Sequence, residues 1–360
     1  MQRMRAGLIG CGNISSIYFT NLKSSPVVEI VACADMVKER AEERAKEFGI
    51  ENAFTPEEIL KQDDIELIIN LTIPAAHASV NLSALAAGKH VYAEKPFAVS
   101  LDDGRRTLEK AKEVGKRVGS APDTFLGAGL ETARKAIDEG LIGRPIAASA
   151  FMMGAGPESW HPDPEFFYAP GGGPMFDMGP YYLTALTSLL GSMTRVSSST
   201  GIQIPDRKVH TGPKANSSIR VQTPTHLAGT IDFENGAIAT LVTSFDIPGG
   251  SQLPRIEIYG TEGTLDIPDP NFFDGDVRLK RPGAESYEIV TPVFEPISNE
   301  RGKGLNEMVS AIHDNRPHRA SGELAFHVLE VMHAFQRSSL EGKHVIIESR
   351  AGYRQGNVYQ

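Results

Sequence analysis

The sequence predicts an α/β protein of two domains. The first is a doubly wound parallel sheet, and the second an α+β domain with a largely antiparallel open sheet. Three observations carry this reading. Strand-like and helix-like segments alternate through the amino-terminal third of the chain. A glycine-rich turn, Gly10-Cys11-Gly12, follows the first apolar run. Beyond about residue 122 the alternation gives way to strand candidates joined by hairpin turns.

Taken in order, 6–9 is a short buried strand and 14–22 a helix. Residues 29–34 form a second strand, and 38–48 a charged helix stopped by Gly49, a natural left-handed cap. Thr55-Pro56-Glu57-Glu58 opens another helix, with Thr55 as N-cap and Glu58 closing a capping box. Residues 67–71 are apolar on both faces, as in a covered parallel sheet. A helix over 77–87, a strand over 90–93, a helix over 101–114 and a strand over 117–120 complete the repeat. Strand–helix–strand units of this kind imply a parallel sheet.

The turn Gly10-Cys11-Gly12-Asn13-Ile14-Ser15 lies between the first strand and the first helix, the context of a dinucleotide fingerprint in a Rossmann domain. Gly10 permits the tight turn. Gly12 lets the backbone approach a pyrophosphate, which then rests on the helix amino terminus. Ser15 replaces the third glycine. Asp35 ends the second strand, where a carboxylate accepts hydrogen bonds from ribose hydroxyls and repels a 2′-phosphate. NAD is therefore the expected cofactor. Lys38 and Arg40 lie close enough to weaken that preference and leave NADP open. Thr72-Ile73-Pro74 and His77 follow the next strand and should flank the cofactor. His77 has a second reading, as a helix-start residue bonding local backbone. Residues 1–121 are assigned to this NAD(P)-binding domain, and 122–360 to a substrate and oligomerisation domain. The helix over 323–340 is a candidate to pack back on the first.

Bulk properties narrow the function. The chain has 360 residues, 41% of them apolar, so it can bury a sizeable core. Net charge is −9 and basic residues form no block, which excludes a nucleic-acid-binding face. No apolar run approaches the roughly 20 residues of a membrane span. The two cysteines, Cys11 and Cys33, lack metal-ligand spacing and read as free thiols of a cytoplasmic protein. No metal is expected.

In the second domain a helix is expected over 125–139. Strands are expected over 146–152, 195–200, 226–233, 238–245 and 255–259, and 202–222 reads as a long loop. Trp160-His161-Pro162-Asp163-Pro164 is either a sugar-facing wall or a Pro-fixed surface loop. Asp123 either faces the site or caps the following helix.

The lone lysine of Glu94-Lys95-Pro96 ends a later parallel strand, beside the expected cofactor. Together with Gly171-Gly172-Gly173, Asp177-Met178-Gly179-Pro180-Tyr181 and Ile258-Tyr259-Gly260-Thr261-Glu262-Gly263-Thr264-Leu265, it resembles the glucose–fructose oxidoreductase, inositol dehydrogenase and MocA family. The resemblance covers nearly the whole chain. It implies NAD or NADP chemistry on sugars, cyclitols and related polyols, and a homodimer or homotetramer formed through the second-domain sheet. It departs at Tyr181, where the common pattern has histidine. The glucose–fructose oxidoreductase and dimeric dihydrodiol dehydrogenase branches are similar in using tyrosine.

The residues make chemical sense on their own. Moving hydride from a carbinol carbon requires a base for the hydroxyl proton and positive charge beside the developing alkoxide. An ordinary tyrosine, with a pKa of about 10, is a poor base at neutral pH. A lysine ammonium close by favours the phenolate. The expected roles follow: Tyr181 as proton shuttle, Lys95 polarising the oxygen and tuning Tyr181, Asp177 orienting the lysine or the substrate. In the helix after Pro180, Leu183, Leu186 and Leu190 form one apolar stripe, and Tyr181, Thr184, Ala185 and Ser188 fall on another face. Two other readings stand beside the dehydrogenase. One is a glycosidase that oxidises its sugar transiently and keeps its NAD. The other is a regulator that binds NAD without catalysis.

Overall fold

The computed structural model describes residues 3–352. The chain divides into two compact units: residues up to Asp123 with Glu300–Leu329, and Thr124–Asn299 with the residues from Glu330 on.

The first unit carries a six-stranded parallel sheet: β1 (Met4–Ile9), β2 (Val28–Ala34), β3 (Asn52–Phe54), β4 (Leu67–Asn70), β5 (His90–Ala93) and β6 (Val118–Ser120). Their order is β3-β2-β1-β4-β5-β6. The order reverses between β1 and β4, and ligands of such sheets bind at the carboxyl ends of the strands flanking that point. All four residues of β4 are buried, because helices cover both faces. Ile9, Val31, Ile68, Leu85, Val91 and Val118 share one core with Phe97.

The local signals hold. Thr55 Oγ1 accepts from the Glu58 N–H, and Glu58 returns a bond to the Thr55 N–H, closing the capping box. Gly49 is left-handed, with φ +71°, after the helix Lys38–Phe48. Ser15, in place of a third glycine, is fully buried and turns its hydroxyl onto the Gly12 carbonyl at 2.6 Å. The sequence pattern misses β3 and the helix Lys303–His313.

The second unit is built on a nine-stranded mixed sheet. Its strands are β7 (Pro145–Met153), β8 (Met193–Gly201), β11 (His226–Phe233), β12 (Ile238–Ser244), β13 (Ile256–Gly260), β14 (Thr264–Ile267), β15 (Arg278–Lys280), β16 (Glu288–Ile289) and β17 (Val345–Ile346). Every pair is antiparallel except β7 with β12. Ala148, Ala150, Leu227, Ile231, Leu241 and Ile258 point inward and are buried. Alternate positions such as Thr230, Ile238 and Thr240 are exposed, the period of a sheet with one open face.

Two expectations are corrected here, and one helix is more buried than its pattern shows. The stretch 202–222 is not a plain loop: β9 (Asp206–Lys208) pairs with β10 (Ser218–Arg220). Val209, Ile219 and Val221 bury themselves in a small core with Tyr168 and Phe245. The helix expected over 125–139 is broken into a short 3₁₀ turn, Thr124–Leu126, and the helix Ala128–Asp138. Between them Gly127 lies so close to the Phe273 backbone that a Cβ would come within 2.3 Å of it. The helix Gly179–Leu190 has no solvent face at all. Every residue in it is buried, so its polar positions do not define an exposed side.

Candidate active site

The first unit holds a groove of about 530 Å³ at the carboxyl ends of β1, β2 and β4. Gly10, Gly12, Asp35 and Thr72 line it together. At Gly10 the chain turns with φ +104°, and a Cβ there would come within 2.6 Å of the Leu71 carbonyl. Only glycine fits that approach. At Gly12 an added Cβ meets nothing within 4 Å, so the space beside this backbone is open.

Asp35 is buried, and its carboxylate joins the two strand ends. One oxygen accepts from the Cys11 N–H at 2.9 Å, the other from the Val37 N–H at 3.0 Å. Arg40 approaches at 3.2 Å and is half exposed on the groove rim. Two flanking residues add apolar surface. Met36 and Ile73 are apolar, line the groove and are 82% and 69% exposed. Apolar side chains left in water at a groove mouth suit the face of a planar ring. Met36 was readable only by its position after Asp35. The turn, the open backbone at Gly12 and the carboxylate at the end of β2 fit an adenine dinucleotide.

The other expected cofactor residues do not line this groove. Asn13 is exposed and Ile14 half-buried, just before the helix Ser15–Leu22. Pro74 begins the helix Pro74–Ala86. His77 is buried, with Nδ1 2.7 Å from the Pro96 carbonyl and Nε2 2.9 Å from the Thr72 carbonyl. Burial pulls its pKa below the ordinary histidine value, against the two carbonyls. A neutral ring has one N–H, which donates to one of them. Glu94 accepts from the Tyr18 hydroxyl at 2.8 Å and from the Lys95 N–H at 3.0 Å. Lys95 is half-buried, and the Lys95–Pro96 peptide is cis.

Asp123 neither caps the helix that follows it nor is left with a free carboxylate. It is buried, and one carboxylate oxygen accepts from the Gly302 N–H at 3.0 Å and the Gly304 N–H at 2.9 Å. It caps Lys303–His313, not the helix that follows it in sequence. Burial and the Glu94 charge push its pKa up to about 6, with the two N–H donors opposing. No local pattern reveals this partner, because the capped helix begins only at Lys303.

In the second unit, Asp177 ends the short helix Gly173–Asp177, and Tyr181 lies in the first turn of Gly179–Leu190. Asp177 is half-buried and Tyr181 buried. Gly173, with φ +83°, packs against the Pro224 carbonyl and fixes the start of this segment. Tyr182 is fully buried and packs. Trp160 is 63% exposed and His161 half-buried beside it, ring edge to face, with Phe166 and Phe167 completing the group. Asp163 and Glu165 share the Lys214 ammonium at 2.7 and 3.1 Å.

Two models of one family match successive stretches of the chain. Residues 4–121 match the model of the oxidoreductase family with an NAD-binding Rossmann fold, and residues 130–266 match the GFO/IDH/MocA C-terminal domain. The chain belongs to the Gfo/Idh/MocA family. It is an oxidoreductase with an NAD-binding Rossmann domain. Among curated relatives, it is 28% identical to scyllo-inositol 2-dehydrogenase (NAD(+)) of Bacillus subtilis (strain 168), over 74% of each chain. It is 29% identical to 1,5-anhydro-D-fructose reductase of Ensifer adhaerens, over 72% of this chain and 74% of that one. Levoglucosan dehydrogenase in complex with NADH and levoglucosan superposes with a TM-score of 0.82, covering 96% of this chain and 99% of that one at 21% identity. Among the described residues, no helix is long and apolar enough to cross a membrane.

Proposed function

We propose that this protein is an NAD-dependent dehydrogenase or reductase of a sugar, sugar acid or cyclitol, working on a secondary hydroxyl or its carbonyl. The observation that carries the reading is the Gly10–Asp35 groove, in a chain whose two domains both match a family of inositol and sugar oxidoreductases. Nicotinamide, when bound, supplies the hydride acceptor. The chain's residues do the rest. The Lys95 ammonium stabilises negative charge on the substrate oxygen. Tyr181 moves the hydroxyl proton, and Asp177 orients its neighbours. Trp160 offers a flat apolar face to the C–H side of a ring. His161 Nδ1 accepts the Asp163 N–H at 3.0 Å, so the neutral ring carries its proton on Nε2. We therefore read His161 as a donor to a substrate oxygen, not as the base. Arg40 beside Asp35 gives a 2′-phosphate one favourable contact, so NADP is the weaker alternative. The open sheet face, with Ile238 and Thr240 exposed, is proposed as the contact of a homodimer or homotetramer. Light scattering of the purified protein would read that mass.

The test is a panel of sugars, sugar acids, inositols and glycosides with NAD and, separately, NADP, followed by absorbance of the reduced nicotinamide. Substrate-dependent NADH formation supports the reading and names the class. Glycoside cleavage without NADH accumulation replaces it with transient oxidation. NAD binding with no turnover of any kind leaves a regulator.

A further inference from the structure

The stretch 202–222 is tied to the Trp160 segment by a buried charge cluster, which the chemistry above does not use. Arg207, on β9, has a side chain 4% exposed. Its Nη1 donates to Glu158 at 2.7 Å and to the Phe245 carbonyl at 3.1 Å. Its Nη2 pairs with Asp246, whose side chain is 2% exposed. Its guanidinium lies 5.2 Å from the centroid of the Tyr168 ring. Each carboxylate is completed by other donors. Tyr168 donates its hydroxyl to Glu158. Thr225 and the Gln203 N–H donate to Asp246, at 2.8 and 3.2 Å. A buried charge cluster with all its members bonded is rigid, and one with a member removed is not.

The cluster grips the turn that carries Trp160. Glu158 lies in the 3₁₀ turn Pro157–Ser159, and the Trp160 and His161 N–H groups both return to the Pro157 carbonyl, at 3.1 and 2.7 Å. The His210 N–H donates to the Glu158 carbonyl at 2.9 Å. Gly156 leaves no room for change: a Cβ there would come within 2.0 Å of the Tyr168 hydroxyl and 2.8 Å of Arg207. Trp160 itself is mostly in water, so the surrounding solvent does nothing to fix it.

We infer that Arg207 is a positioning residue: by clamping Glu158 and Asp246 it holds the Trp160–His161 segment in its binding shape and so sets affinity for the sugar. This rests on the reading that Trp160 and His161 face the substrate. A guanidinium is needed because its fork meets two carboxylates at once, which a lysine ammonium does not do in one geometry. An interaction that shapes a binding wall acts equally on bound substrate and transition state, so its loss raises KM and spares kcat.

The experiment uses the full chain and the substrate found with the panel. Trp160 is the only tryptophan, so its fluorescence anisotropy reports the mobility of this segment directly. Arg207→Met should lower that anisotropy and raise the sugar KM on the order of ten-fold, with kcat and the NADH Kd little changed. Arg207→Lys should fall between. Tyr168→Phe, which removes one hydroxyl and keeps the charges, should shift KM in the same direction by less, and it serves if Arg207→Met does not fold. Unchanged anisotropy and KM in these variants would overturn the inference. So would a parallel loss of NADH affinity, which marks general damage. Trp160→Ala separates the two readings. If it leaves KM unaltered while Arg207→Met still mobilises Trp160, the substrate-facing reading of the segment has failed and the control of affinity by Arg207 falls with it.

Discussion

At the Gly10–Asp35 groove, backbone sets the shape. Gly10 turns against the Leu71 and Thr72 main chain, and Asp35 is held by N–H groups at the ends of adjacent strands. At the Trp160 segment, side chains set it. Arg207 reaches Glu158 49 positions away and Asp246 39 positions away. The first kind of construction is written in short, ordered motifs, because the sheet order brings their ends together whatever the other side chains are. The second is written in single charged residues that look like ordinary surface chemistry until the fold buries them.

That contrast decides how much the sequence disclosed. The parallel sheet, the capping box at Thr55 and Glu58, the left-handed Gly49 and the groove residues Gly10, Gly12, Asp35 and Thr72 follow from local pattern. The strands β9 and β10 did not. Asp206-Arg207-Lys208 and Ser218-Ile219-Arg220 each carry one inward side chain, too few to show alternation. Nor did the partner of Asp123, whose acceptor serves a helix distant in sequence. Nor did the burial of the whole helix Gly179–Leu190: small polar residues such as Thr187 and Ser188 bond to carbonyls within the helix and need no solvent.

If backbone geometry defines the groove, the largest effect there should come from Gly10→Ala. A Cβ at φ +104°, against main chain that cannot move aside, should weaken NADH binding on the order of 100-fold, read by fluorescence titration. Near-wild-type affinity would break the comparison. Asp35→Ser is a smaller change. It removes the proposed ribose acceptor and the charge that would oppose a 2′-phosphate, so the NAD-over-NADP ratio of kcat/KM should fall about ten-fold or more. The smallest effect is a pH effect away from both regions. The folded Asp123 carboxyl titrates at about 6, above its ordinary 3.8, so its stabilising contribution is complete below 3.8 and is lost as pH rises through 6. Asp123→Asn keeps an acceptor for Gly302 and Gly304 and removes that dependence. The variant should gain stability relative to wild type between pH 4 and 7, by on the order of 2 kcal/mol in denaturant unfolding. A difference that does not vary with pH would contradict the assignment.

In the proposed function, Lys95 supplies the positive charge beside the reacting oxygen. The direct measurement is turnover of Lys95→Met on the best panel substrate, with NADH affinity measured beside it. A fall in kcat/KM on the order of 1,000-fold, with the NADH Kd held within about threefold, is the expected result. Turnover close to wild type would contradict the account.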